Sequence, residues 1–344
     1  MSILDKIKKN SSIKDSAILS KSKFFTQKDM ITTPVPILNV AFSGSLNGGF
    51  TPGLTMWAGP SKHFKTAFSL LMAKSYLDKY EDSALLFYDS EFGTPQSYFD
   101  SFGIDTDRVL HTPITDIEQL KFDVMNQLTK IERGEKLIII IDSIGNLASK
   151  KEVEDALDQK AVADMSRAKQ IKSLFRMITP HLTLKDIPMV VVNHTYKEIG
   201  MFPKDIVGGG TGSYYSADNI YILGRQQEKD GTEITGYNFI INVEKSRYVR
   251  EKSKIPVTVS FEGGIIKWSG LLEIALESGH VVKPSNGWYS KVNVETGEIE
   301  DKKYREKDTD TKDFWNDILK SESFQTFIIE RYRVAHSEII QEEE

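Results

Sequence analysis

The chain has 344 residues, of which 40% are hydrophobic and 27% are charged, and its formal net charge is −5. This composition is typical of globular proteins, and the net charge excludes a uniformly basic nucleic-acid-binding surface while leaving room for a local basic patch. The absence of cysteine excludes disulfides, thiolate nucleophiles and thiolate metal sites.

The first 30 residues form a basic segment with seven Lys and three Asp. Ile3, Leu4 and Ile7 share one helical face, which predicts a short amphipathic helix. No apolar stretch resembles a secretory signal, and no aliphatic run approaches the roughly 20 residues of a membrane span. We therefore expect a cytoplasmic protein without a membrane partner, in which this segment is either a solvated helix or an interaction arm.

Predicted strands and helices alternate from about residue 35 onward. Helical periodicity is present at Thr66–Tyr80 and again after Thr115 and Glu118, which have the spacing of a capping box. Continuous apolar runs are typical of strands that helices cover on both faces of a parallel sheet. Two runs fit this description, Leu137–Ile141 and Met189–Val192. Leu54–Ala58 is a short, mostly apolar run that ends at Gly59-Pro60, and Ala84–Tyr88 is a further predicted buried strand.

After residue 218 the pattern changes to alternation, which predicts antiparallel strands that complete the sheet. These strands are Asn219–Leu223, Tyr237–Val243 and Pro256–Phe261, with a polar turn around Gly231 between the first two. From residue 269 the pattern is mostly helical with Gly-containing joints. We predict an N-terminal helical arm (1–32), an α/β core with a mostly parallel twisted sheet flanked by helices (33–268), and a small α+β C-terminal domain (269–344).

A candidate phosphate-binding loop lies between the first predicted strand and the next helix. Its residues are Gly59-Pro60-Ser61-Lys62-His63-Phe64-Lys65-Thr66. They match the P-loop pattern GxxxxGK[ST], except that Phe64 replaces the second glycine. In such a loop backbone N–H groups face phosphate oxygens, the lysine contacts the β- and γ-phosphates, and the Thr hydroxyl holds Mg²⁺. Either Phe64 has a negative φ, or the loop bears strain of about 1–2 kcal/mol; a Gly-Pro turn without function is the alternative.

Polar residues follow three other predicted strands. Asp142 ends one strand, where a carboxylate can hold the water shell of Mg²⁺. Glu91 lies just beyond another, where it can deprotonate an attacking water, and Asn193-His194 follow a third. Each taken alone is equally compatible with an ordinary turn or a structural residue. Because ligands bind at the carboxyl ends of parallel strands, the combination predicts an ATP site.

Several longer motifs resemble the RecA family of strand-exchange ATPases, and within it the phage-encoded members, over roughly residues 20–320. They include FYDSEFG (87–93), IDSIGNLASKKE (141–152), GGGTG (208–212) and NVEKSR (242–247). The Phe in the phosphate-binding loop is shared with the phage members and absent from bacterial RecA. The resemblance implies a RecA-like P-loop ATPase core that uses ATP and Mg²⁺. It also implies a filament on single-stranded DNA that pairs this strand with a homologous duplex in recombination, repair and recombination-dependent replication.

The resemblance further implies roles for individual residues in the ATP site. Lys65 and Thr66 resemble the phosphate and Mg²⁺ ligands, and Asp142 resembles the second acid near the metal. Glu91 resembles the glutamate that activates water. Tyr98 stands where the family stacks an aromatic ring on adenine, and His194 stands where bacterial RecA has a γ-phosphate-sensing Gln.

DNA contacts and subunit contacts are implied in the same way. The segments 150–165 and 195–212 resemble the two DNA-binding loops, and the implied DNA-binding residues are Lys197, Ile199, Gly209, Gly210, Thr211, Arg167 and Lys169. Lys245 and Arg247 match two cations that reach the neighbouring protomer's ATP, and residues 1–32 would dock on the next protomer. A recombination mediator and a single-strand-binding protein are the implied partners, in the cytoplasm of a bacterial host.

Two other functions stay open at this point. A hexameric helicase shares the same core and ATP chemistry, although such helicases usually carry a larger N-terminal domain. A non-catalytic ATP-binding scaffold that regulates a recombinase is the second alternative. The presence of Lys65, Thr66, Glu91 and Asp142 together argues against the scaffold.

Overall fold

The computed structural model describes residues 2–13, 16–22, 29–158, 166–198 and 205–334. The helices in these ranges are α1 (Ile3–Asn10), α2 (Pro36–Ser43), α3 (Lys65–Lys79), α4 (Gln96–Ser101), α5 (Ile117–Lys130), α6 (Lys150–Leu157), α7 (Ser166–Lys185), α8 (Thr211–Ser216), α9 (Leu271–Glu277), α10 (Lys312–Lys320) and α11 (Glu322–Tyr332). The strands are β1 (Gly53–Ala58), β2 (Ala84–Asp89), β3 (Val109–Pro113), β4 (Leu137–Asp142), β5 (Pro188–Asn193), β6 (Thr195–Lys197), β7 (Asp205–Val207), β8 (Asn219–Asp230), β9 (Glu233–Lys245), β10 (Lys254–Ser260), β11 (Gly264–Ile265), β12 (Val281–Ser285) and β13 (Trp288–Lys291).

A nine-stranded sheet organises the chain, in the order β11-β10-β9-β8-β1-β5-β4-β2-β3. Six neighbouring strands run parallel to one another: β8, β1, β5, β4, β2 and β3. Beyond β8, the strands β9, β10 and β11 extend the sheet by antiparallel pairing. The four predicted strands of the parallel part are β1, β2, β4 and β5, so the predicted α/β fold class is confirmed. The carboxyl ends of the parallel strands meet at one edge of the sheet, which brings the residues that follow them together.

Helices cover both faces of the sheet, which explains the unbroken apolar runs. Along β4, Ile138 and Ile140 belong to one core cluster, whereas Ile139 and Ile141 belong to the cluster on the other face. The first cluster includes Phe68 of α3, and the second includes apolar residues of α5 and α7. No helix within the described ranges has the length and apolar character needed to cross a membrane.

Two local predictions are corrected by the structure. The N-cap of α5 is Asp116, whose side chain accepts a hydrogen bond from the backbone N–H of Gln119, so the capping box predicted at Thr115 and Glu118 is wrong. The β8–β9 hairpin is much longer than the predicted strands, because backbone pairing continues to Asp230 and Glu233. Side chains of β8 are exposed from residue 225 onward, so alternation of apolar residues could not reveal this part of the ladder.

The segment after residue 268 contains α9, α10, α11 and the β12–β13 hairpin. Its Leu271, Phe314 and Phe324 are buried in the same cluster as the sheet residues of the core. Helix α1 buries none of its residues against the rest of the described chain, and Ile3 is 71% exposed. The arm at 1–32 and the boundaries at 33–268 and 269–344 stay predictions.

Candidate nucleotide site and DNA loop

The phosphate-binding loop connects β1 to α3, as its position in the sequence predicts. A Cβ atom at Gly59 would lie 3.2 Å from the carbonyl oxygen of Leu223, so β8 passes close to the start of the loop. The Lys65 ammonium folds back over the loop and donates to the carbonyls of Gly59 (3.1 Å) and Pro60 (2.8 Å). Burial lowers the pKa of Lys65, while the Glu91 and Asp142 carboxylates oppose this shift.

Phe64 adopts the left-handed conformation that the pattern reserves for glycine, with φ 63° and ψ 15°. This answers the question that the sequence left open, and it means that the loop contains a conformation unfavourable by about 1–2 kcal/mol. The ring of Phe64 stacks on Phe239, with centroids 5.1 Å apart, and meets the edge of Phe68 at 5.5 Å. Phe64 therefore packs against one ring from the sheet and one from α3 in this conformation.

Thr66 and Asp142 bring together two oxygen-bearing side chains that could hold Mg²⁺. The Thr66 hydroxyl donates to Asp142 Oδ2 at 2.5 Å, and Asp142 Oδ1 is buried with no hydrogen-bond partner in the described residues. Burial raises the pKa of Asp142 to about 6; the Thr66 hydrogen bond opposes this rise, and the nearby Glu91 and Asp89 carboxylates add to it. An unpaired buried carboxylate oxygen beside a hydroxyl fits a small hard cation that keeps most of its own waters.

Glu91 is held by three donors that converge on one carboxylate oxygen. Its Oε1 accepts from Ser143 Oγ (2.6 Å), Asn146 Nδ2 (3.1 Å) and His194 Nε2 (3.0 Å). The His194 hydrogen bond is the main reason that the pKa of Glu91 falls to about 2; burial opposes the shift, and Ser143 reinforces it. The Glu91 side chain is 36% exposed, so a water molecule can reach it.

Ser143 and Asn146 are functional candidates that the sequence analysis did not single out. Both follow Asp142 at the end of β4, and β4 pairs with β2 so that Asp142 lies opposite Asp89, two residues before Glu91. The signal was therefore available in the segment 142–146, because polar residues after adjacent parallel strands share one edge of the sheet. Ser90 adds a second connection, since its hydroxyl donates to the carbonyl of Ser143 at 2.7 Å.

His194 connects Glu91 to the glycine-rich segment. The carbonyl of His194 accepts from the N–H of Gly208 at 2.9 Å. The neighbouring Asn193 side chain accepts from the N–H of His194 (2.8 Å) and donates to the carbonyl of Gly208 (2.9 Å). A Cβ atom at Gly208 would lie 3.1 Å from the His194 carbonyl oxygen, so a larger residue here would have to push these two segments slightly apart. The candidate catalytic carboxylate and the candidate DNA loop thus share one hydrogen-bonded connection.

The described part of the second DNA-loop candidate consists of a short ribbon and a helix. Strands β6 and β7 pair antiparallel, and the exposed Lys197 forms an ion pair with Asp205 at 2.9 Å. Gly209 and Gly210 have φ of +86° and +75° and lead into α8, which begins at Thr211. Ile199 and residues 200–204 lie outside the described residues.

The two cations assigned to the first DNA loop differ in their surroundings. Arg167 is half-buried and donates to the carbonyls of Ile144, Gly145 and Leu147 at 2.6–3.2 Å, so it braces the segment after β4. Lys169 is exposed on α7. Residues 159–165 of this loop lie outside the described residues, and both DNA-binding roles stay predictions.

Tyr98, the candidate adenine platform, is half-buried on α4. Its ring meets the edge of Phe102 with centroids 5.5 Å apart. Burial raises the pKa of Tyr98, and the negative charge of Asp142 raises it further.

Lys245 and Arg247 lie near the amino-terminal ends of the parallel strands β8 and β1, whereas the phosphate-binding loop lies at their carboxyl ends. Lys245 Nζ donates to the carbonyl of Tyr214 at 3.0 Å, and Arg247 Nε donates to Asp218 Oδ1 at 2.5 Å. Asp218 also accepts from the N–H of Leu54, near the start of β1. The loop leaves the other end of this strand, which is about 20 Å long at ~3.3 Å per residue. The two cations are therefore not brought together with their own chain's Lys65.

Two models of known protein families match this chain, and together they cover most of it. The family model for the RecA N-terminal domain matches residues 3–266, and that for the C-terminal domain of the bacteriophage T4 recombination and repair protein matches residues 268–328. The chain belongs to the RecA family.

Individual relatives of this RecA-family chain span most of its length. It is 52% identical over 330 residues to the recombination and repair protein of Enterobacteria phage T4, which covers 95% of this chain and 84% of the phage protein. It is 26% identical over 302 residues to protein RecA of Bacteroides thetaiotaomicron, covering 87% of this chain and 88% of that protein. Protein RecA of a Nocardioides species is 24% identical over 270 residues, with 76% and 75% coverage.

Proposed function

We propose that this RecA-family protein is an ATP-dependent DNA recombinase. It assembles on single-stranded DNA as a helical filament, hydrolyses ATP, and catalyses homologous pairing and strand exchange with a duplex. Its similarity to a protein named for recombination and repair supports this function. The arrangement of Lys65, Thr66, Asp142 and Glu91 at one edge of the sheet supports the ATPase activity.

The observation that carries the proposal is the hydrogen-bonded connection from Glu91 through His194 to Gly208. The DNA affinity of a recombinase must depend on whether ATP or ADP is bound, and this connection joins the candidate ATP site to the candidate DNA loop. A γ-phosphate near Glu91 and His194 would alter hydrogen bonds that also fix the start of the glycine-rich loop. A scaffold that only binds ATP has no need of such a link.

The chemistry of ATP hydrolysis follows from the residues at this edge. Glu91 is ionised at neutral pH and accepts the proton of the attacking water, while Ser143, Asn146 and His194 hold its orientation. Lys65 stabilises negative charge on the phosphates. Mg²⁺, bound by Thr66 and Asp142, would supply further neutralisation of the phosphate charge.

Because Lys245 and Arg247 lie near the amino-terminal ends of β8 and β1, away from their own phosphate-binding loop, we propose that they serve the ATP of a neighbouring protomer. Cations supplied by another subunit would neutralise charge on the transferred phosphoryl group. They would also stabilise the filament in its ATP-bound form, since the γ-phosphate gives them an additional partner. The N-terminal segment 1–32 would dock on the adjacent protomer, and its exposed Ile3, Leu4 and Ile7 provide an apolar surface for this contact.

The proposed partners are single-stranded DNA, a homologous duplex, a recombination mediator and a single-strand-binding protein. The proposed location is the cytoplasm of a bacterial host. The glycine-rich segment supports the DNA part of this proposal, since glycine N–H groups can approach a DNA backbone without obstruction by side chains.

The decisive experiment is a strand-exchange reaction with homologous and non-homologous duplexes, run beside an assay of DNA-stimulated ATP hydrolysis. We expect exchange only with the homologous duplex and only with ATP, and no hydrolysis by the Lys65→Ala variant. Electron microscopy on DNA should show open helices. Closed six-membered rings with duplex unwinding would instead identify a helicase, and ATP binding without DNA-stimulated hydrolysis would identify a scaffold.

A further inference from the structure

Two residues other than glycine are left-handed in the phosphate-binding loop. Lys62 has a φ of 60°, and Phe64 has a φ of 63°. Side chains make this region unfavourable, whereas glycine adopts it freely. A conformation of this kind persists only when neighbouring structure holds it in place. The loop therefore requires supporting contacts that a loop with glycine at position 64 does not need.

One rung of the β8–β9 ladder contacts both left-handed residues. Arg225 of β8 and Phe239 of β9 are directly paired, so their side chains project from the same face of the sheet. Arg225 Nη1 donates to the carbonyl of Lys62 at 3.1 Å. The ring of Phe239 stacks on Phe64, with an interplanar angle of 23°.

Both supporting side chains are themselves held in place. Phe239 is 2% exposed and meets the edge of Phe68 at 6.2 Å, inside the core that α3 covers. The Arg225 guanidinium lies 4.6 Å from the centre of the Tyr237 ring, a cation–π contact within the same hairpin. The support thus belongs to the sheet and not to the loop.

We propose that Arg225 and Phe239 are positioning residues that hold the loop in its phosphate-binding conformation. In a standard GxxxxGK[ST] loop the second glycine adopts positive φ without help, whereas in this chain Arg225 and Phe239 stabilise that conformation. The inference rests on the proposed function, because it takes this loop as the ATP site. Without the Phe239 ring, Phe64 is free to return to negative φ. That change turns the adjoining peptide groups, whose N–H groups must face the phosphates from one side.

The test measures the dissociation constant of ATP in the presence of Mg²⁺ by calorimetry, together with thermal unfolding of each variant. Phe239→Leu keeps an apolar side chain in the core but removes the ring, and we expect it to weaken ATP binding about 5–30-fold. Arg225→Ala removes an exposed cation and one hydrogen bond, and should weaken binding about 2–10-fold. Lys229→Ala removes another exposed cation from the same strand and should bind ATP normally.

The discriminating variant adds Phe64→Gly to Phe239→Leu. Glycine at position 64 does not refill the core at position 239, but it adopts positive φ without support from a neighbouring ring. The double variant should therefore bind ATP within about twofold of the Phe64→Gly single variant. Native affinity in Phe239→Leu, or a double variant as weak as Phe239→Leu alone, would overturn the positioning role. Native ATP affinity in Lys65→Ala would instead overturn the proposed ATP site itself.

Discussion

Replacement of Glu91 by Gln removes the proposed base while keeping the shape of the side chain. In the native site Oε1 accepts three hydrogen bonds, from Ser143, Asn146 and His194, and Gln offers a carbonyl oxygen at the same position. ATP and DNA binding should therefore persist. Hydrolysis should slow by about 10²–10⁴-fold, as expected for loss of a general base, which corresponds to roughly 3–5 kcal/mol of transition-state stabilisation.

The assay is single-turnover ATP hydrolysis on saturating single-stranded DNA, with nucleotide and DNA affinities measured on the same preparations. Glu81→Gln is the matched control, because it removes an exposed carboxylate from the turn before β2. The expected result is a loss in the rate constant with little change in the half-saturating ATP concentration. Hydrolysis at the native rate in Glu91→Gln would refute the assignment of Glu91 as the base.

The depressed pKa of Glu91 gives this variant a distinctive pH dependence. The native carboxyl has a pKa of about 2, against an ordinary value of 4.5, so its hydrogen bonds favour the ionised form in the folded state. This stabilisation is fully present above about pH 4.5 and is lost as the pH falls toward 2. In urea titrations, the difference in unfolding free energy between native protein and Glu91→Gln should be constant above pH 5 and change only in more acidic solution. A difference that changes between pH 6 and 8 would contradict the low pKa.

Replacement of both Gly209 and Gly210 by Val should abolish the stimulation of ATP hydrolysis by DNA and leave ATP binding intact. Both positions have positive φ, and a Cβ atom at Gly209 would lie 3.2 Å from Ile171, so the loop cannot keep its conformation. Unchanged affinity for single-stranded DNA in this variant would move the DNA site elsewhere. The Lys245→Ala plus Arg247→Ala variant should bind ATP but hydrolyse it poorly, and addition of Lys65→Ala protomers should restore part of the activity at mixed interfaces. Mixed filaments without any rescue would contradict a role in trans.

The parallel core and the polar residues at the carboxyl ends of its strands could be predicted, because strands buried on both faces are unbroken apolar runs in the sequence. Strand β4 is covered on both faces, so Leu137–Ile141 is an unbroken apolar run, and Asp142 must come at its end. The same rule predicts that Glu91 and Asp142 meet at one edge. Ser143 and Asn146 could be placed at this same edge from their position after β4, but their pairing with Glu91 could not be predicted, because it depends on β2 and β4 being neighbours in register.

Other features depend on tertiary contacts that carry no local pattern. The outer part of the β8–β9 hairpin is stabilised by backbone pairing beneath exposed polar side chains, which do not alternate in hydrophobicity. The left-handed conformation of Phe64 depends on a ring that lies 175 positions later in the sequence, at Phe239. The bracing role of Arg167 also depends on carbonyls of a separate segment, whereas the resemblance to the RecA family implied a DNA contact for this residue.

The most direct test of coupling between ATP and DNA is the ratio of single-stranded DNA affinities measured with a non-hydrolysable ATP analogue and with ADP. His194→Ala removes the contact with Glu91 and should bring this ratio close to one, while His194→Gln retains a donor and should keep much of the native ratio. His181→Ala is the control, since His181 makes no hydrogen bond to Glu91. A native ratio in His194→Ala would contradict the proposal that this residue transmits the nucleotide state to the DNA loop.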